Sequence, residues 1–231
     1  RRKDPMPPET PSPVFRRVGR TGWLVDLADA PDPGAAVQSV AAGLRSLAAD
    51  GGLTGVVDLV PAAETVLVTV DGDAPDPRGV IAAHWSALLA TEVTAGGDEV
   101  EIPVRYDGPD LAGAAEAAGM TPAAFREWHR GTTWRAAFGG FAPGFFYLVP
   151  VAGADGSTPT VPDIPRRPTP RTSVPAGSVA VAAGYSAVYP SSSPGGWQLI
   201  GSTDAVLWDT DRPQPNLITA GQTVRFTEVT A

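Results

Sequence analysis

Glycine and proline set the strongest limit on what this chain can become. There are 26 glycines and 25 prolines among 231 residues, and both interrupt helices and central strands. Long helical bundles are excluded by that density, and a turn-rich fold of short strands is favoured. The chain is still long enough to bury about 70% of its unfolded surface without a disulfide or metal staple. At roughly 100–150 residues per domain, it has room for one large unit or two small ones.

The side-chain inventory removes several chemistries. There is no cysteine, so thiolate nucleophiles, iron–sulfur clusters and Cys-ligated zinc are ruled out. His84 and His129 are too few imidazoles for a His-rich metal site. The single lysine, Lys3, lies in a proline-studded tail. A Walker A loop, a pyridoxal Schiff base, a biotinylated carrier lysine and a lysine-activated serine therefore have no lysine to use. Net charge is −8. No basic run is longer than Arg1–Lys3, and Arg166–Arg167 is no more than a pair, so nucleic acid is not an expected partner. No apolar run approaches the roughly 18 residues of a membrane span, and no signal peptide is visible. The default expectation is a soluble, cytoplasmic protein.

Along the chain, Arg1 to Pro13 reads as a disordered leader, residues 14–101 as a small α+β domain and 102–231 as a mainly β domain. In the first domain, Trp23–Leu27, Gly55–Val60 and Thr65–Val70 predict strands. Apolar spacing predicts helices over Gly34–Ala49 and Asp76–Glu92. With Val100–Tyr106 as closing strand, the order β-α-β-β-α-β predicts a ferredoxin-like split unit. In the second domain, Asp110–Ala118 and Thr121–Arg130 predict short helices, the latter with Thr121 as N-cap and Pro122 at its first position. Strands are predicted at Thr132–Phe138, Ser178–Ala182, Ala187–Tyr189, Gln198–Ile200, Val206–Trp208 and Thr223–Phe226. That spacing reads as a barrel or sandwich.

Several segments of the second domain are more specific. Gly140-Phe141-Ala142-Pro143-Gly144-Phe145-Phe146-Tyr147-Leu148 resembles the GF-x-PGF-x-YL signature of the family of bacterial 5-oxoprolinase B subunits. That family is also called KipI-like, or allophanate hydrolase subunit 1. Thr169-Pro170-Arg171 through Val179 resembles its PR-T-x-VPAGSV block, and Tyr189 through Gly201 its YP…SPGGW-x-LIG block. Ile102–Leu111 and Trp128-His129 are similar to the family's entry into this domain. The resemblance implies a cyclophilin-like β-barrel behind the α+β domain, forming half of a carboxyltransferase module of the urea carboxylase type. It also implies membership of a multi-subunit, ATP-dependent enzyme that opens 5-oxoproline to glutamate. The partners would be a companion carboxyltransferase-like subunit and a third subunit, with ATP bound mainly by these partners. Alternative roles within the resemblance are inhibition of a sensor histidine kinase and a half-subunit of a biotin-dependent urea or amide carboxylase or of an allophanate hydrolase-type complex.

Two residues are candidates for the chemistry. Arg171, stiffened by flanking prolines, offers a planar fork for a lactam acid's carboxylate; otherwise it pairs with an internal acid such as Asp163. His129 could move a proton near neutral pH, or cap a helix end. Candidate substrate-binding residues are Phe141, Pro143, Gly144, Tyr147, Tyr189, Gly195 and Trp197. The glycine–proline turn could offer backbone N–H groups to an oxyanion or flat ring beside aromatic walls; packing of those aromatics into the barrel is the competing role. Asp107 and Asp110 are expected to cap the helix that follows. No metal is expected.

Overall fold

A computed structural model describes residues 12–93, 99–151 and 161–229; the expected leader falls almost wholly outside them. The chain divides in sequence after Val93 into two compact units. In the first, strands β1 (Val14–Val18), β2 (Gly22–Asp26), β3 (Val56–Pro61) and β4 (Thr65–Val70) form an antiparallel sheet in the order β1-β2-β4-β3. Helix α1 (Pro33–Ala49) begins where Asp32 accepts the Ala35 N–H at 2.9 Å, with proline in the first turn. Its residues Val37, Val40, Ala41 and Leu44 recur at helical spacing and are buried with Val66, Val68 and Val70 of β4.

Two expectations are corrected here. Val100–Tyr106 does not close this sheet; β1, antiparallel to β2, takes that edge instead. The helix expected over Asp76–Glu92 is two short ones, α2 (Arg78–Ala83) and α3 (Trp85–Leu89). They break at His84, whose backbone leaves the helical region and whose Nδ1–H donates to the Val80 carbonyl.

The second unit contains β5 (Val100–Val104), α4 (Leu111–Ala117), α5 (Pro122–Gly131), β6 (Trp134–Gly139), β7 (Phe146–Pro150), β8 (Arg171–Val174), β9 (Ser178–Ala182), β10 (Tyr185–Val188), β11 (Ser193–Gly195), β12 (Gln198–Ser202) and β13 (Thr223–Glu228). Seven strands form one sheet in the order β12-β9-β10-β7-β6-β13-β5. Its two edges meet through paired hydrogen bonds between Arg105 and Ser202, both 2.8 Å, so the barrel is nearly closed. β5 belongs to this barrel because it pairs in parallel with β13. Val206–Trp208 is not a strand; only Trp208 bridges, to Asn216. β8 and β11 form a separate two-stranded ribbon.

Strand alternation sorts the side chains onto two faces. Ile102, Val104, Trp134, Ala136, Phe146, Leu148, Val179, Val181, Val188, Ile200, Val224 and Phe226 fill one core. Alternate residues on the same strands, Tyr147, Ala180, Ala182, Tyr185, Ala187 and Leu199, pack in a second cluster with Val174 of the ribbon. The barrel interior is thus filled, as expected for a small barrel, and the second cluster lies on its outer face. No helix among the described residues is long and apolar enough to cross a membrane.

His129 ties the filled core together. The Tyr106 hydroxyl lies 2.8 Å from its Nδ1, and its Nε2 lies 2.8 Å from Ser186 Oγ. The ring stacks on Phe226 with centroids 4.5 Å apart, and the Trp134 indole donates to the His129 carbonyl. A neutral imidazole satisfies every partner: Tyr106 donates to Nδ1, Nε2–H donates to Ser186, and Ser186 reaches the Ala180 carbonyl at 3.4 Å. Burial pushes the imidazole down to about 3 and pushes the Tyr106 phenol upward, so both stay neutral. An unfolded histidine titrates near 6.5. Only the unfolded chain therefore gains this proton as pH falls from 6.5 towards 3, and stability is lost across that window. Urea denaturation should show this as about 1.4 kcal/mol per pH unit near pH 5. His129→Gln should flatten that slope relative to the parent chain; an unchanged slope would contradict an enclosed, neutral His129.

Candidate functional site

The three signature segments converge on the outer face of the barrel. The turn between β6 and β7 is held by three internal hydrogen bonds: Gly140 N–H to Phe145 O, Ala142 N–H to Gly140 O, and Phe145 N–H to Ala142 O. The N–H groups of Gly140, Ala142 and Phe145 are thus occupied and are not available to an oxyanion, while those of Phe141 and Gly144 take no part in these bonds. The Ala142–Gly140 bond spans two residues with Phe141 between them at φ 70°, a rare and strained γ-turn. A left-handed phenylalanine costs on the order of 1–3 kcal/mol and persists only where its surroundings impose it. The ring is 60% exposed and meets Phe145 at 5.2 Å and Tyr189 at 6.0 Å.

Behind Phe141 the aromatic cluster closes. Phe145 contacts Tyr189 at 5.3 Å and Trp197 at 5.7 Å; Tyr147 contacts Trp197 at 5.6 Å and Tyr185 at 5.4 Å, all edge-on. Trp197 and Tyr189 are buried, so they back the site rather than line an opening. Phe141, Pro143, Tyr147, Gly195 and Arg171 retain exposure. Gly144, at φ 83°, is buried against Leu207 and Trp208. Gly195 lies directly under the Tyr189 hydroxyl, where a Cβ would collide with the phenol. Phe146 turns into the barrel core and does not alter this face.

Arg171 pairs with Gly195 across the β8–β11 ribbon. Its Nη2 donates to Asp110 Oδ1 at 2.8 Å, and Arg167 Nη1 donates to the same oxygen at 2.9 Å. The other carboxylate oxygen accepts the Leu199 N–H at 2.8 Å. The internal acid is therefore Asp110 rather than Asp163. Asp110 precedes α4 but makes no side-chain cap, while Asp107 accepts from Ser202 Oγ. The cap expected of these two aspartates is replaced by longer-range bonds. Burial pushes the Asp110 carboxyl upward, yet hydrogen bonds from Arg171 and Leu199 and the charges of both arginines outweigh it, holding the carboxyl below its usual range.

The remaining chemical candidate, His129, is absent from this face. It is wholly buried in the barrel core with both ring nitrogens engaged. The structure therefore offers no exposed nitrogen for the expected proton-transfer role, and burial holds the ring neutral. Sequence reasoning missed Arg167 and Ser186 and mistook the role of Asp110. The only local hint was the Arg166-Arg167 pair ahead of the Pro170-Arg171 block. Among the described residues no cluster of acids and histidines is placed to hold a metal ion.

Two measurements test this geometry. Asp110→Ala strands two guanidiniums and one N–H, and should lower stability by about 2–3 kcal/mol, discounted because both arginines keep solvent contact. Gly195→Ala should cost about 1–3 kcal/mol by overpacking. Gly196→Ala should be tolerated, since its Cβ would meet only Pro170 at 3.6 Å. Equal thermal melts for the two glycine variants would contradict the close approach of Tyr189.

Known proteins share both the sequence pattern and the architecture. The family described as carboxyltransferase domain, subdomain C and D, matches residues 13–218. The 5-oxoprolinase B subunit of Haemophilus influenzae is 41% identical over 145 residues, which span 62% of this chain and 64% of that protein. The protein of the same name from Escherichia coli O157:H7 is 44% identical over 130 residues, 55% of this chain and 56% of that one. The crystal structure of TTHA0988 is 30% identical, covers 94% of this chain and 40% of its own, and superposes with TM-score 0.70. The Kluyveromyces lactis urea carboxylase, 16% identical, covers 94% of this chain and 22% of its own with TM-score 0.71, a likeness of fold. With the match running through both units and all three signature segments, the chain belongs to the family of carboxyltransferase domains, subdomains C and D.

Proposed function

We propose that this chain acts as the B component of a 5-oxoprolinase, a multi-subunit enzyme that couples ATP hydrolysis to opening of the lactam ring. The observation that carries this reading is its 39–44% identity to three proteins named as the B subunits of 5-oxoprolinases. The chemistry on the outer face supports it. Phe141 and Tyr147 offer apolar surface to a flat five-membered ring, and Arg171 offers a planar fork to its carboxylate. Phe141, Pro143, Gly144, Tyr147, Tyr189, Gly195 and Trp197 are proposed to shape that site, and Arg171 to orient the acid.

ATP is assigned to partner subunits. The sole lysine, Lys3, lies outside the described residues, and the sequence holds no phosphate loop. The companion carboxyltransferase-like subunit and a third subunit complete the enzyme, and this chain alone is inactive.

Co-expression with the companion subunits tests the reading. The assembled complex should hydrolyse ATP only when 5-oxoproline is present, and neither the chain alone nor the complex lacking it should do so. Full turnover without this chain would refute the role. In the complex, Arg171→Gln should raise KM for 5-oxoproline at least about tenfold, the loss of one charge-assisted contact worth roughly 1.5–3 kcal/mol.

A further inference from the structure

Two guanidiniums and a single carboxylate meet beneath the outer ribbon, leaving a surplus of positive charge. Arg167 and Arg171 both donate to Oδ1 of Asp110, and Oδ2 is taken by Leu199 N–H. Their donors are not exhausted. Arg171 Nη1 and Arg167 Nε are enclosed with no acceptor, and so is Ser193 Oγ on the facing strand β11. The two arginines are anchored to the same turn: Arg171 pairs with Gly195 across the ribbon, and Arg167 N–H donates to Gly196 O at 2.7 Å. Among the described residues no carboxylate pairs with the adjoining Arg166. The Arg167 and Arg171 side chains keep 34% and 23% exposure, whereas Asp110 keeps 8%. Solvent therefore reaches parts of both arginine side chains, though not the unfilled Arg171 Nη1 and Arg167 Nε themselves, and scarcely reaches Asp110.

A half-enclosed surplus cation with unfilled donors is unfavourable unless an anion completes it. We propose that Arg167 and Arg171 form a two-guanidinium clamp for a small carboxylate anion, with Asp110 as the positioning residue that holds the forks side by side. The identity of the anion rests on the 5-oxoprolinase reading: it is the carboxylate of the lactam acid. Arg167 is then a specificity-determining residue that rejects neutral lactams, because a ligand without an anionic group leaves both forks unfilled.

Arginine modification by phenylglyoxal, read by peptide mass spectrometry on the full chain at constant ionic strength in chloride, tests the clamp. Probes are 5-oxoproline, acetate, inorganic phosphate and neutral 2-pyrrolidone, with exposed Arg45 as internal reference. The carboxylates should slow modification of Arg167 and Arg171 about fivefold or more while 2-pyrrolidone does not. Arg167→Lys keeps the charge but loses the fork, and should cut protection at Arg171 at least about threefold. The clamp is overturned if no anion protects either arginine beyond Arg45, if 2-pyrrolidone protects as well as 5-oxoproline, or if Arg167→Lys changes nothing. Protection by acetate but not by 5-oxoproline upholds the clamp and counts against the 5-oxoprolinase reading alone, whereas protection by phosphate and by neither carboxylate overturns it.

Discussion

The carboxylate of Asp110 is the contact on which the functional face depends. It joins three segments far apart in sequence: the entry to α4, the Arg167–Arg171 stretch and the start of β12. The β8–β11 ribbon is only four residues paired with three, and lies outside the barrel sheet. Its own cross-strand bonds are too few to hold it flat against the barrel. Charge-assisted bonds to Asp110, together with Val174 and Trp197 in the aromatic cluster, supply what the ribbon lacks. Two guanidiniums on one oxygen make that knot tight and leave it cationic on its outer side.

A barrel this narrow has its interior filled by side chains, so chemistry must be placed elsewhere. β7, β9, β10 and β12 solve the problem by alternation, presenting core residues inward and Tyr147, Ala180, Ala187 and Leu199 outward. His129 and Ser186 fall on the inward side and become part of the packing. A polar network enclosed and fully satisfied in this way specifies a unique core. The outward side holds strain in Phe141 and unfilled donors in Arg167 and Arg171. The proposed binding role of this face draws on these features.

Local signals were legible in the residues alone. Thr121-Pro122 announces a helix start through a side-chain cap that the structure contains. Thr65–Val70 and Ser178–Ala182 appear as strands with those bounds because β-branched runs sit between turn residues. Long-range pairing was not legible. Val100–Val104 reads equally well as the last strand of the first unit or the first of the second, and only its match with β13 decides. β8 is four residues between Pro170 and Pro175 and β11 is only Ser193-Pro194-Gly195, too short and too interrupted to look like strands, and they exist because each is the other's partner. The signature residues were found, but their placement outside the barrel follows from the pleat. An aspartate ahead of a helix looks like a cap, and nothing local reveals that its partners arrive from the Arg167–Arg171 stretch and from Leu199.

Hydrogen exchange on Asp110→Asn bears most directly on whether this one carboxylate holds the functional face. Loss of the charge should speed exchange at Arg171–Val174, Ser193–Gly195 and the Leu199 amide, while β5, β6 and β13 keep their protection. Exchange unchanged at the ribbon, or accelerated evenly through the whole barrel, would contradict the account.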